Sequence, residues 1–173
     1  MEIQSADSVR SFKPRPSYGW CWLILLAVLI GALGIAPALA LGVDSTNARI
    51  TLLISVPVTF VFLILAFWFP TMRYHLTQEA LILRYGPVIN YRIPLEEIRT
   101  IRHRNLTMTI WSSIRFPGIA LYKIPYGDVG DVKMCATSAL TDILLIETEK
   151  EKYGLTPANE EEFVAAVRAQ MEM

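Results

Sequence analysis

Two long uncharged runs near the start of the chain limit what it can fold into. Pro16 to Val43 holds no charged residue, and neither does Ile50 to Pro70. The six residues between them, Asp44 to Arg49, form a polar turn. About 20 apolar residues cross a bilayer as a helix, and each run supplies that many. The front of the chain therefore reads as a two-helix transmembrane hairpin, with spans near 20–43 and 50–69 inside a segment 18–70.

Flanking charge gives the hairpin a direction. Arg10, Lys13 and Arg15 precede the first span, Arg73 and Arg84 follow the second, and the turn carries only Arg49, offset by Asp44. The positive-inside rule places both ends in the cytoplasm and the turn outside. This is the topology of a multi-pass protein of an inner (plasma) membrane. Tyr18, Trp20 and Trp22 at one end, and Phe67, Trp68 and Phe69 at the other, fit an interfacial aromatic belt at a single membrane face. Ala38-Leu39-Ala40 also resembles a cleavage site, so removal of the first span as a signal peptide stands as an alternative. Ala32, Ala36 and Ala40 recur every four residues, as do Gly34, Ala38 and Gly42. Small residues at that spacing let helices approach closely, with Ser55 and Thr59 available on the second span. Pro37 and Pro57 are expected to bend or unwind the helices locally. No ionisable side chain lies inside either span, which argues for an anchor rather than a transporter.

About 100 residues remain after Met72, enough for one small domain, 73–173. Their charge is split. Arg73 to Lys123 has eight Lys/Arg against three Asp/Glu, while Ile124 to the end has four against ten. A basic segment beside a membrane is drawn to anionic headgroups. The two cysteines, Cys21 and Cys135, fall in different phases and predict no disulfide. No Cys/His spacing suggests a metal.

Beyond Pro70 the pattern shifts to short alternating runs. Residues 81–85, 88–93, 98–104, 119–124, 132–136, 142–148 and 152–155 read as strands, with turns at Gly86-Pro87 and Glu149–Glu151. Strands at such spacing predict an antiparallel sandwich or barrel. The end differs: Asn159 followed by Glu162 fits a helix N-cap with its reciprocal partner. Glu160, Glu161 and Glu162 then complement the helix dipole, and Phe163, Val167 and Met171 repeat at helical spacing. The helix is expected over about 159–172, closing an open end of the sheet.

Four stretches carry a family resemblance. They are Tyr74-His75-Leu76-Thr77 with Ala80 to Gly86; Ile93 to Ile98; Arg115-Phe116-Pro117-Gly118 leading into Gly127; and Tyr153 to Pro157 followed by Glu161-Glu162-Phe163. In this order they resemble a bacterial pleckstrin-homology-like (PH-like) domain of small membrane proteins, over about 100 residues. The resemblance implies an α+β, mainly β domain: a bent, seven-stranded antiparallel sheet capped by a C-terminal helix. It implies little chemistry, because this fold serves many binding roles. In lipid-binding relatives the loop between the first two strands holds basic residues. The matching turn here, Gly86-Pro87, holds none, which counts against phosphoinositide binding.

No catalytic constellation is legible. His75 and His103 are the only histidines, and Ser112, Ser113 and Ser138 sit in no nucleophile-elbow pattern. No catalytic residue, cofactor or metal ligand is assigned. The candidate contact residues are Arg102 and Arg104, which share a strand face at period two, with Arg115 and the loop aromatics Trp111 and Phe116. Aromatic residues on a loop can anchor a partner or pack the sheet. The leading expectation is a non-enzymatic interaction or scaffolding module integral to the bilayer, with a protein partner. Its alternative is peripheral sensing of anionic lipid through the basic half, and an enzyme of unknown type is the residual reading. Nucleic acid is not expected, since the domain's charge sums to about −1 and no aromatic-basic signature occurs. Homo-oligomers are compatible with the sequence, which does not set the oligomeric state.

Overall fold

The computed structural model describes residues 9–40, 42, 46–107 and 115–172. The chain forms two units. One is Tyr18–Pro70, and the other joins Met1–Ser17 to Thr71–Met173.

The first unit is a pair of helical segments. Helix α1 (Gly19–Ile30) passes through a π-helical turn at Gly31–Ile35 into α2 (Ala36–Ala40), and α3 (Thr46–Trp68) returns. Gly19–Ala40 and Thr46–Thr71 have mean hydropathies of 2.6 and 2.7 and are long and apolar enough to cross a membrane. The unwinding expected at the prolines appears only ahead of Pro37. Its ring lacks the N–H that the preceding turn needs, and the π turn sits just before it, whereas α3 continues through Pro57. Of the two small-residue series, the Gly34–Ala38 pair is buried, while Ala32, Ala36 and Ala40 are exposed. The approach is close: a Cβ on Gly34 would lie 2.1 Å from Ser55 Oγ and 2.7 Å from Ser55 Cβ.

Among its described residues the second unit holds ten strands in two sheets, followed by helix α4 (Glu160–Met171). The first sheet runs β1 (Arg10–Phe12), β2 (Arg73–Leu76), β3 (Ala80–Tyr85), β4 (Ile89–Pro94), antiparallel throughout. The second contains β5 (Ile98–Arg104), β6 (Arg115–Phe116), β7 (Ile119–Tyr126), β8 (Gly130–Ala136), β9 (Ile143–Thr148) and β10 (Lys152–Leu155), in the order β5-β9-β10-β8-β7-β6.

This corrects the seven-stranded antiparallel sheet in two respects. Among the described residues nine strands follow α3, split between two sheets, and a tenth comes from ahead of α1. Strands β1, β2 and β6 have three, four and two residues, too short for alternation to show. Moreover, β10 lies parallel to β8. After β8 the chain passes over one strand position to form β9, and the tight 149–151 turn folds β10 back into the vacant slot. Gly154 fits there because a Cβ would come within 2.3 Å of Met134 Sδ on β8.

Alternation places Tyr74, Leu83, Tyr85, Ile93 and Leu121 in the core, each fully buried. A buried polar pin crosses this core. Tyr74 Oη donates to the Cys135 carbonyl at 2.8 Å and accepts from Thr156 N at 3.3 Å, while Thr156 Oγ1 accepts from Thr137 N at 2.8 Å. Buried polar groups that are all paired in this way hold a unique register.

Residues 10–17, ahead of α1, are fastened to the domain at several points. Beyond the β1–β2 ladder, Arg15 N donates to the Thr156 carbonyl at 2.7 Å and Ala158 N donates to the Lys13 carbonyl at 3.0 Å. Ser17 Oγ donates to the Gly118 carbonyl at 2.6 Å.

Helix α4 starts where its cap predicts. Asn159 Oδ1 accepts from Glu162 N, but the glutamate carboxylate returns to the Asn159 side-chain amide rather than to the cap's backbone N–H. The buried stripe is Phe163, Ala166 and Val167, and Met171, expected on it, is 41% exposed.

Candidate functional site

Strand β5 forms one edge of the second sheet, and its register sets where the arginines point. Thr100, Arg102 and Arg104 pair opposite Glu147, Leu145 and Ile143, so the three share one face. The register shifts between Ile98 and Thr100, and Arg99 leaves that pattern to pair with Glu149. Arg102 and Arg104 are exposed and make no ion pair among the described residues.

The remaining candidates on described backbone lie on another strand. Arg115 lies in β6, at the opposite edge of the same hydrogen-bonded sheet. Phe116, on β6, is half-buried and lines a shallow apolar pocket with Pro117, Ser138 and Leu140. Trp111 falls in 108–114, outside the described residues.

His103, exposed on β5, ties three distant segments together. Its Nδ1 lies 2.9 Å from Glu160 Oε1 at the start of α4, and its Nε2 lies 3.3 Å from Asp142 Oδ1 ahead of β9. Arg15 reaches the same two carboxylates at 3.4 and 3.9 Å. The hydrogen bond that Glu160 accepts from it, joined by the one Asp142 accepts, raises the His103 pKa. Asp142 sits in the left-handed region at φ 53, which a short polar side chain tolerates, and its N–H is held by Asn105 Oδ1 at 3.0 Å.

A second cationic grouping was not visible as a cluster in the sequence. On the first sheet Arg73 lies directly opposite Arg84, His75 opposite Ile82, Ile82 opposite Arg92, and Arg84 opposite Asn90. With Tyr74, Leu83 and Tyr85 turned inward, the same alternation turns Arg73, His75, Arg84 and Arg92 onto the solvent face. Glu79 pairs with Arg92 at 3.1 Å, and Arg73 Nη1 donates to the Met72 carbonyl at 2.7 Å. Partial burial, with the Arg84 and Arg73 charges beside it, depresses the His75 pKa. The signal for this face was present as cationic residues alternating with apolar ones. What brings residues eleven positions apart side by side is the β2–β3 register, which no single-strand pattern reveals.

Both ring nitrogens of His103 are engaged by carboxylates, leaving neither to accept a proton from a hydroxyl. The Cys135 thiol is buried and pushed up to about 12 by desolvation, the environment of an inert thiol. No group of three metal-ligating side chains occurs among the described residues.

Residues 72–171 match the sequence model of a family described as Bacterial PH domain. No curated protein and no solved structure matches the chain.

Proposed function

Because the chain belongs to the bacterial PH domain family, we propose that it is a membrane-anchored, non-catalytic interaction module whose domain faces the cytoplasm. The observation that carries this reading is the pairing of β1 with β2. Strand β1 precedes the first apolar helix and β2 follows the second, yet they share one unit. A chain so joined crosses the membrane an even number of times between Ser17 and Thr71. The surplus of Lys and Arg at those two ends then selects the cytoplasmic side. Removal of the first span as a signal peptide would carry β1 away from the sheet, so the pairing also supports an uncleaved hairpin.

For the interaction itself, β5 offers an exposed strand edge carrying Arg102 and Arg104. A partner strand could add there, with main-chain bonds giving affinity and the arginines selecting acidic side chains. Phe116, on β6, supplies a separate contact at the opposite edge of the sheet order. The partner is a protein, and assembly with further copies of the chain is part of the same proposal.

Reporter fusions at Ser45 and at the C-terminus test the topology, with opposite compartments expected and a shared compartment refuting the hairpin. Co-purification of the intact chain in mild detergent tests the interaction. A reproducible partner lost on Arg102→Glu with Arg104→Glu is expected. A partner that survives both changes removes β5 as the contact.

A further inference from the structure

We propose that the domain carries a peptide-binding groove between β2 and α4 for extended basic segments with an aromatic anchor, and that residues 10–17 fill it in cis. This is a second site beside the β5 edge and rests on no part of the β5 contact. The two sides of the groove divide cleanly along the chain. Tyr74, Gly118, Asp142, Thr156, Glu160 and Phe163, which receive the arm, all fall within the matched segment 72–171. Every entering residue falls within 10–17 and is joined to them only through Tyr18–Pro70. Charge follows the same division. Residues 10–17 hold three cations and no acid, while Ile124 to the end holds ten acidic residues against four basic ones.

The contacts are those by which a sheet edge reads a peptide: main-chain pairing gives affinity and side chains give specificity. Arg10, Ser11 and Phe12 pair with Leu76, His75 and Tyr74 on β2. The arm then turns to the segment ahead of α4, where Pro14 bridges Pro157. The bonds at that bridge come from the flanking residues, Arg15 N to the Thr156 carbonyl and Ala158 N to the Lys13 carbonyl. Neither proline therefore needs the N–H it lacks. Phe12 is the anchor, edge-on to the fully buried Phe163 at 5.1 Å. Arg15 is the charge selector, reaching Asp142 at 3.4 Å and Glu160 at 3.9 Å. Ser17 Oγ closes the series on the Gly118 carbonyl. The pattern read is an aromatic residue, a proline two positions on and an arginine next. A tethered segment meets its site at an effective concentration of about a millimolar, so the arm outcompetes a ligand in trans until it is withdrawn.

The test uses the full chain in mild detergent. Phe12→Ala with Arg15→Glu vacates the groove, and a fluorescent peptide of residues 9–17 is the probe. Anisotropy should show saturable binding to this variant. The parent chain should bind the peptide about tenfold more weakly or worse, because its own arm competes. Phe12→Ala or Arg15→Glu placed in the peptide should each weaken binding about tenfold, as loss of an anchor does. The peptide should also raise the variant's urea midpoint toward that of the parent, since it binds only the folded domain. That readout holds even where the empty groove leaves the domain partly unfolded. Absence of binding to the variant overturns the groove, and so does equal binding to variant and parent. Binding indifferent to both peptide changes, or a midpoint that the peptide does not move, overturns it as well.

Discussion

Phe12 meets Phe163 edge-on, with ring centroids 5.1 Å apart and planes at 84°. One residue precedes the first apolar helix and the other lies on the last helix of the chain. Tyr74 packs against Phe163 from a second side at 6.1 Å. The N-terminal arm is thus a structural part of the domain. The matched family segment, 72–171, does not include it.

Replacing Phe12 with Ala should therefore destabilise the domain although it lies outside that segment. Loss of a half-buried ring and its edge-to-face pair is worth about 2 kcal/mol. Urea unfolding of the full chain in mild detergent, followed by tyrosine fluorescence, should show a lower midpoint. An unchanged midpoint would mean that the arm adds nothing to the fold.

The buried pin at Tyr74 gives a sharper test. Tyr74→Phe keeps the ring but leaves the Cys135 carbonyl and Thr156 N–H without their bonds to the hydroxyl. Leaving buried polar groups unpaired costs about 1–3 kcal/mol. Thr156→Val should cost a similar amount through Thr137. The double variant should lose less than the sum, because the residues share one network. Strict additivity would show that the pin does not act as a unit.

The two histidines should make opposite contributions to stability against pH. His103 has a raised folded pKa. Its contribution is complete below the ordinary value of about 6.5 and fades as pH rises through the folded value. His75 has a depressed folded pKa. It costs nothing well above 6.5, and the cost appears as pH falls below that value and is complete below the folded one. His103→Gln should thus be more destabilising at pH about 5.5 than at about 8.5, whereas His75→Gln should gain on the parent protein only at the acid end. Both effects should be roughly 1 kcal/mol or less, because these groups are solvent-screened. Parallel unfolding curves across pH for either variant would remove its assigned role.

In the hairpin, Gly34→Ala should loosen the helix pair. The added Cβ meets Ser55 Cβ at 2.7 Å, an atom fixed to its backbone and unable to swing aside. Ser55→Gly on the same background removes both clashing atoms and should recover much of the loss. The readout is the temperature at which the detergent-solubilised chain loses helical circular dichroism. Failure of the second change to rescue would mean that the helices do not meet at this point.

The strand pattern shows how far local chemistry reaches. β5 and β10 lie at 98–104 and 152–155, as their alternation predicts, and α4 begins after Asn159 as its cap predicts. These elements carry their own signals of periodicity, turn residues and capping. The basic surfaces do not. Arg102 and Arg104 share a face because period two operates within one strand, whereas the backbone of Arg115 belongs to β6, at the other end of the sheet order. Arg73 and Arg84 meet only through a register between strands.

By itself the sequence determined two uncharged spans, a strand-rich domain and a capped final helix, since each follows from the composition and spacing of neighbouring residues. The tertiary structure alone decided that residues 10–15 complete that domain, that β10 enters parallel to β8, and that His103 and Arg15 share two carboxylates. Those outcomes join positions as far as 145 residues apart, Arg15 and Glu160 among them. Such pairings depend on which surfaces remain unfilled once the local elements pack, and that information is not held in any stretch of the chain.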